Sequence, residues 1–280
     1  MTQPFRRTTG FLCALIALLV LSGCAGKVSR HTSSSVVHYL YPDRDTPLDT
    51  ATLPQLSLPM RVGLAFVPET GGRNPGFTEK EKTRLLDEIA THFKRHHFVN
   101  SIDVVPSGYL SAGGSFANLD QIRSLYGIDV MVLVSYDQTQ FTDEGLASIA
   151  YWTLVGAYII PGEKNDTHTM VDAAVYDIES RKMLFRAPGI SHIKGNATPV
   201  NLSEELRHDS LEGFQRASAD LVTNLDEQLQ LFKQRVKENP QEYDVVHRAG
   251  YTGGGSVDVA LLGLAVFLLL SRGVARRRAA

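Results

Sequence analysis

Ile128-Asp129-Val130-Met131-Val132-Leu133-Val134-Ser135 is the stretch on which the fold turns. Six of its eight residues are apolar and three are valines, so it reads as the strongest strand in the chain. Gly127 stands just before it, where a glycine C-cap ends a helix over Asn118–Tyr126. The phrase Gly113-Gly114-Ser115-Phe116 makes the turn into that helix. Further upstream, Arg61–Val67 reads as a buried strand ended by Pro68, and Gly71–Gly76 as a loop. Thr78 caps a helix and Glu81 completes a capping box, with Leu85, Leu86, Ile89 and Phe93 as the apolar stripe. Ile102–Val105 is a short strand ending at Pro106. Downstream, Thr169–Ile178 and Lys182–His192 alternate like a hairpin joined through Asp177–Arg181. Leu202–Glu238 reads as one long helix or two, stopped by Asn239-Pro240. The order β-α-β-α-β-insert-β-β-α predicts an α/β fold: one mixed-sheet domain with packed helices over residues 60–239.

Two phrases, Gly127–Leu133 and Val175-Tyr176-Asp177-Ile178-Glu179-Ser180-Arg181-Lys182, together with the strand order, make residues 60–235 similar to a known domain. It is the α/β domain shared by the amino-terminal part of TolB and the curli-pore and penicillin-binding-protein-activator lipoproteins. The resemblance implies periplasmic or surface scaffolding and protein binding, not catalysis.

The flanks carry sorting signals. Arg6-Arg7 precede an apolar run from Phe11 to Leu21, which has the length of a secretory signal rather than of a membrane span. It closes on Leu21-Ser22-Gly23-Cys24, which resembles the lipobox of bacterial lipoproteins. That resemblance implies removal of residues 1–23 by lipoprotein-processing enzymes and acylation of Cys24. No Asp follows the Cys, so outer-membrane or surface delivery is expected over inner-membrane retention. The other cysteine, Cys13, lies in the removed segment, so the mature chain would hold no disulfide. Residues 24–59 are rich in Ser, Thr, Asp and Pro and read as a flexible, irregular tether.

At the far end, residues 240–256 read as a Gly-rich linker ending in Gly253, Gly254, Gly255 and Ser256. Residues 257–280 follow as a hydrophobic helix with Arg276-Arg277-Arg278 at its end, a transmembrane tail under the positive-inside rule. The arrangement resembles the GlyGly-CTERM tail that rhombosortase recognises, and both signals together resemble the rhombotarget lipoproteins. The alternative is a permanent C-terminal anchor behind a flexible linker. Consecutive glycines cost a helix about 1 kcal/mol each, which suits a protease that needs its substrate unwound.

Without the two terminal segments, 22 basic side chains remain against 29 acidic ones. That acidic balance speaks against nucleic acid as a partner. Leu146–Ile160 is apolar on every face and holds the only Trp. It reads as a buried hairpin or core helix, or as a membrane or partner contact through Tyr151, Trp152 and Tyr158.

Catalytic and cofactor motifs give little. His92 and His96 stand four apart on a helix, a spacing that can hold a metal, but Phe93, Lys94 and Arg95 fill the gap and two of them would repel a cation. No metal and no cofactor are expected. His168 and His192 read as surface or edge residues. The Gly113–Phe116 phrase fails as a serine-hydrolase elbow, and neither phosphate-loop pattern occurs. The expectation is a non-enzymatic envelope lipoprotein whose domain binds an envelope protein or surface component. The alternative is an envelope hydrolase, which requires a pocket with a Ser or carboxylate near His168 or His192.

Overall fold

A computed structural model describes residues 28–42, 52–69, 78–144, 163–198, 201–249 and 251. Cys24, the signal and tail segments, Gly253, Gly254, Gly255, Ser256, Tyr151, Trp152 and Tyr158 lie outside the described residues. The chain has an α/β fold with a mixed sheet. In chain order the elements are β1 (Val28–Ser33), α1 (Val36–Leu40), β2 (Gln55–Leu58), β3 (Met60–Phe66), α2 (Glu79–Phe93) and β4 (Val99–Val104). They continue as α3 (Ser115–Tyr126), β5 (Val130–Glu144), β6 (Glu163–Asp177), β7 (Met183–Ala197), α4 (Leu202–Glu238) and β8 (Asp244–His247).

The main sheet runs β4-β3-β5-β6-β7, parallel across β4-β3-β5 and antiparallel from β5 to β7. Residues Val130–Val134 of β5 pair with β3, while β6 takes the other edge of β5 along its whole length. Alternation sends Val130, Val132 and Val134 to one face, against Leu85, Ile89, Phe214 and Leu221 of α2 and α4. Met131 and Leu133 go to the other face, against Tyr39 and Leu40 of α1 and Phe116 and Leu119 of α3. Both faces of this segment are therefore covered, which is why its sequence is a continuous apolar run.

The local signals work as their chemistry requires. The Thr78–Glu81 capping box is present, with the Thr78 N–H donating to Glu81 Oε2 at 2.8 Å. Gly127 adopts φ 67° at the end of α3, where a Cβ would be strained. Asp177 Oδ2 accepts from the Ser180 N–H at 3.0 Å and so shapes the β6–β7 turn. The helix Leu202–Glu238 is continuous.

Two boundaries differ from the sequence reading. Residues 28–42 are not tether: β1 pairs with β5, and Val36, Tyr39 and Leu40 of α1 are buried. Tyr39 also donates its hydroxyl to Asn118 Oδ1 at 2.9 Å. The polar composition misled because Ser29, Arg30 and His31 of β1 are all exposed and α1 buries only three side chains. Residues 240–256 are likewise not all linker, since β8 pairs in parallel with β2 as a separate two-stranded sheet. Arg248 then ties this segment to the core. Its Nη2 donates to Asp129 Oδ2 at 2.7 Å and its Nη1 to the Pro59 carbonyl at 2.8 Å. Burial disfavours charge on Asp129, but hydrogen bonds from Arg61 and Arg248 outweigh it and hold the carboxyl below the ordinary range.

The helix α4 also meets part of the free edge of β7, between Leu184 and Ile190. Asp220 Oδ2 accepts from the Ile190 N–H at 2.9 Å, Asn224 Nδ2 donates to the Pro188 carbonyl at 2.7 Å, and Arg235 Nη2 donates to the Leu184 carbonyl at 3.3 Å. A strand edge with its polar groups met in this way is a poor template for another chain. The contact is possible only because Gly189 has no side chain: a Cβ there would overlap the Ala217 carbonyl oxygen and sit 2.7 Å from Leu221 Cβ. Gly189→Ala should therefore lift α4 and lower stability by about 2–3 kcal/mol, as overpacked cores do. The check is the urea midpoint, and an unchanged midpoint would mean that α4 does not depend on this close approach.

Candidate functional site

Beyond the end of β3, strands β5, β6 and β7 continue, and β1 takes over the edge that β3 leaves, pairing with Asp137–Thr142. Here the sheet is covered on one face only, by the first half of α4, and that interface is polar. Gln138 Nε2 donates to Thr169 Oγ1 at 2.8 Å and to the Ser210 carbonyl at 3.2 Å, and Ser210 Oγ donates to Gln138 Oε1 at 2.6 Å. Gln140 Nε2 repeats the pattern with Thr167 Oγ1 and the Leu206 carbonyl. Asp209 breaks it. Its Oδ2 is buried beside the Asn165 amide, but no well-formed hydrogen bond satisfies either group. Burial, then the charge of Glu205, pushes the Asp209 carboxyl above its ordinary range.

The opposite face of this half is open. A row directly across the strands reads His31, Thr139, His168, His192. Asp166, two residues before His168, shares their face. Its Oδ1 lies 3.3 Å from His168 Nε2 and is also hydrogen-bonded to His192 Nε2. The two imidazoles stack with centroids 4.1 Å apart, and the edge of Phe141 faces His168 at 6.2 Å. His31 makes a separate pair with Asp137 at 3.1 Å.

Where this open face meets α1 lies a cleft of about 490 Å³, lined by Ser33–Ser35, Ser135, Asp137, Asp172, Tyr176 and Arg186 among others. Arg186 Nε donates to Asp172 Oδ1 at 2.7 Å. Burial raises the Asp172 carboxyl above its ordinary range even so, because Arg186 only partly offsets it. Tyr176 at the base is pushed up to about 12, chiefly by burial. Apolar side chains rim the cleft: Val37 and Met183 are exposed, and Met170 pairs across the strands with the exposed Ile190. A second cavity, between α2 and α4, is about 70 Å³ and wholly apolar, so it offers no group to orient a polar ligand.

His92 and His96 do come together, but on a carboxylate that their own helix does not supply. Asp226 of α4 lies 2.6 Å from His92 Nε2 and 3.8 Å from His96 Nε2. Arg95 reaches the same carboxylate at 3.4 Å. Burial, then the charge of Lys233, makes His96 less basic than usual. The group links two helices amid cations. Ser115 starts α3 and stands at the turn into that helix. His168 and His192 have the carboxylate that a hydrolase base needs, but they stand on an open sheet, 52% and 40% exposed. Ser191, next to His192 in the chain, is buried and points away from it, beneath α4. The sequence reading missed Asp166, and its spacing to His168 on one strand was the available signal. Comparison with known protein families and with curated proteins finds no match.

Asp209 yields a pH test. The folded state holds its proton to a higher pH than the unfolded chain does, so its contribution to stability is lost as pH rises through the folded pKa. Asn cannot ionise. Asp209→Asn should be more stable than the wild type near neutral pH by about 1 kcal/mol, the scale of a buried polar group left unpaired. The gap should close toward about pH 4, where the carboxyl is increasingly protonated in either state. Chemical melts at both pH values check this, and a variant less stable at neutral pH would contradict it.

Proposed function

We propose that the chain is an envelope lipoprotein, anchored through acylated Cys24, whose α/β domain binds an envelope protein or surface component without chemistry. Its C-terminal tail is cut by rhombosortase. The observation that carries the binding reading is the open face of the upper sheet. Its cleft sets one partly buried ion pair, Asp172–Arg186, inside a rim of Val37, Met170 and Met183, with the exposed Ile190 across the strands from Met170. An apolar rim around a few fixed polar groups suits recognition.

The topology supports an orientation. Val28 pairs with Thr142, near the end of β5, and only three residues lie between Cys24 and Val28, so the four-step span reaches at most about 14 Å. Lipid at Cys24 therefore holds that end of the sheet near the membrane. Residues 145–162 connect Glu144 to Glu163, which pair at the same end, so Tyr151, Trp152 and Tyr158 fit a membrane-contacting role. Arg248 is fixed at Asp129, at the opposite end of β5. Val130 and Thr142 are roughly 40 Å apart at about 3.3 Å per residue. An uncut tail would pull on the far end of the domain, and cutting it frees the domain to stand on its lipid.

Intact mass and membrane fractionation test the processing. The mature protein should carry a diacyl or triacyl group on Cys24 and lack residues 257–280. Replacing Gly253, Gly254 and Gly255 together with Leu should block cutting by continuing the helix. Wild-type protein that retains residues 257–280 would make the tail a plain anchor. The binding face is tested separately, by cross-linking from envelope extracts. The pair Met170→Asp and Ile190→Asp should remove the partner that the wild type captures, and equal capture by both would place binding elsewhere.

A further inference from the structure

We propose that Asp166, His168 and His192 form a site for a divalent transition-metal ion of the zinc type. Three side chains from two paired strands converge. Asp166 and His168 rise from the same face of β6, and His192 stands directly opposite His168 on β7. One ligand atom from each lies within 4.8 Å of the other two. A tetrahedral zinc ion with ligands at about 2.0–2.1 Å puts neighbouring donor atoms about 3.3 Å apart. The His168 Nε2 to Asp166 Oδ1 distance is 3.3 Å, whereas His192 Nε2 is in direct hydrogen-bond contact with the same oxygen and must draw back to admit the ion.

The donor set fixes the class of ion. Two imidazole nitrogens and one carboxylate oxygen suit Zn²⁺, Ni²⁺ or Cu²⁺, whereas Ca²⁺ and Mg²⁺ favour all-oxygen shells. Three protein ligands on an open face leave the remaining position for water or a donor from a bound partner, as in open zinc sites. The surroundings allow this. Lys194 stands opposite Asp166 in the register, yet the carboxylate turns to the imidazoles. Lys164 and Lys194 are solvent-exposed, so water and salt screen their charge. His31 lies two strands from His168, about 9–10 Å at strand spacing, and is too far to be a ligand. The inference does not rest on the anchoring proposed above.

The test is calorimetric titration of Zn²⁺ into the untagged, chelator-stripped full chain in detergent. One ion per chain should bind. His168→Gln, His192→Gln and Asp166→Asn should each weaken binding by at least about tenfold, the least that even the loss of a partner outside the inner shell costs. These side chains are half exposed, so circular dichroism should show an unchanged fold. Co²⁺ in place of Zn²⁺ should give visible absorption that His192→Gln removes. His92→Gln and His208→Gln should leave binding unchanged. His208 with Glu205 and Asp209 is the other triad among the described residues with metal-compatible spacing. No saturable Zn²⁺ binding, or binding that survives His168→Gln and His192→Gln, would overturn the proposal. Loss on His208→Gln alone would overturn it too, by moving the ion to α4.

Discussion

Everything in this fold hangs on the two edges of β5. At 15 residues, β5 is twice as long as the seven-residue β3 beside it. A strand that outlasts its neighbour leaves a row of unpaired N–H and C=O groups, each costly to bury and dangerous to expose. The amino-terminal strand β1 meets that row by pairing antiparallel with the second half of β5. The other edge is occupied throughout by β6. A segment that composition assigns to a tether is thus held by the backbone hydrogen-bonding needs of a strand roughly a hundred residues later.

The same length mismatch divides the sheet into two chemically distinct halves. Where β3 pairs with β5, helices cover both faces and the core is hydrophobic on both sides. Where β1, β5, β6 and β7 run on, only α4 covers a face, and it docks through Gln138, Gln140, Thr167, Thr169 and Ser210. Hydrogen bonds fix geometry more sharply than apolar contact but contribute less net stability, and each unpaired group among them costs. Asp209 and Asn165 show that this interface is incompletely satisfied. The apolar half is enclosed on both faces, while the polar half leaves one face free, with the histidines and the Asp172–Arg186 cleft displayed there.

Much of the framework was legible because it rests on local chemistry. The Thr78–Glu81 box, the Gly127 cap and the Asn239-Pro240 stop are contacts within a few residues, and they fall where the sequence places them. Apolar runs announced β3 and the first half of β5. The second half of β5 and the outer parts of β6 and β7 were shortened in the reading, since Gln, Thr, Asn and Asp there carry no apolar alternation. Their strand character comes from pairing and from the polar interface with α4. Asp226 likewise could not be assigned to His92 from sequence, because 134 residues separate them.

The histidine cluster shows where the boundary lies. That β6 and β7 form a hairpin follows from alternation and turn chemistry at Asp177–Arg181, whereas Asp166 and His168 share a face because pairing extends β6 back to Glu163. Which residue stands opposite His168 does not follow. The register shifts by one between Val175 and Tyr176, where Tyr176 pairs with Met183 but Val175 with Phe185. Without that bulge His192 would oppose Thr167 and turn beneath α4. The sequence by itself determined the central elements from β3 to α4, their order and the residue types available at the site. Tertiary structure decided register and edge occupancy, because these depend on pairing and packing between segments far apart in the chain.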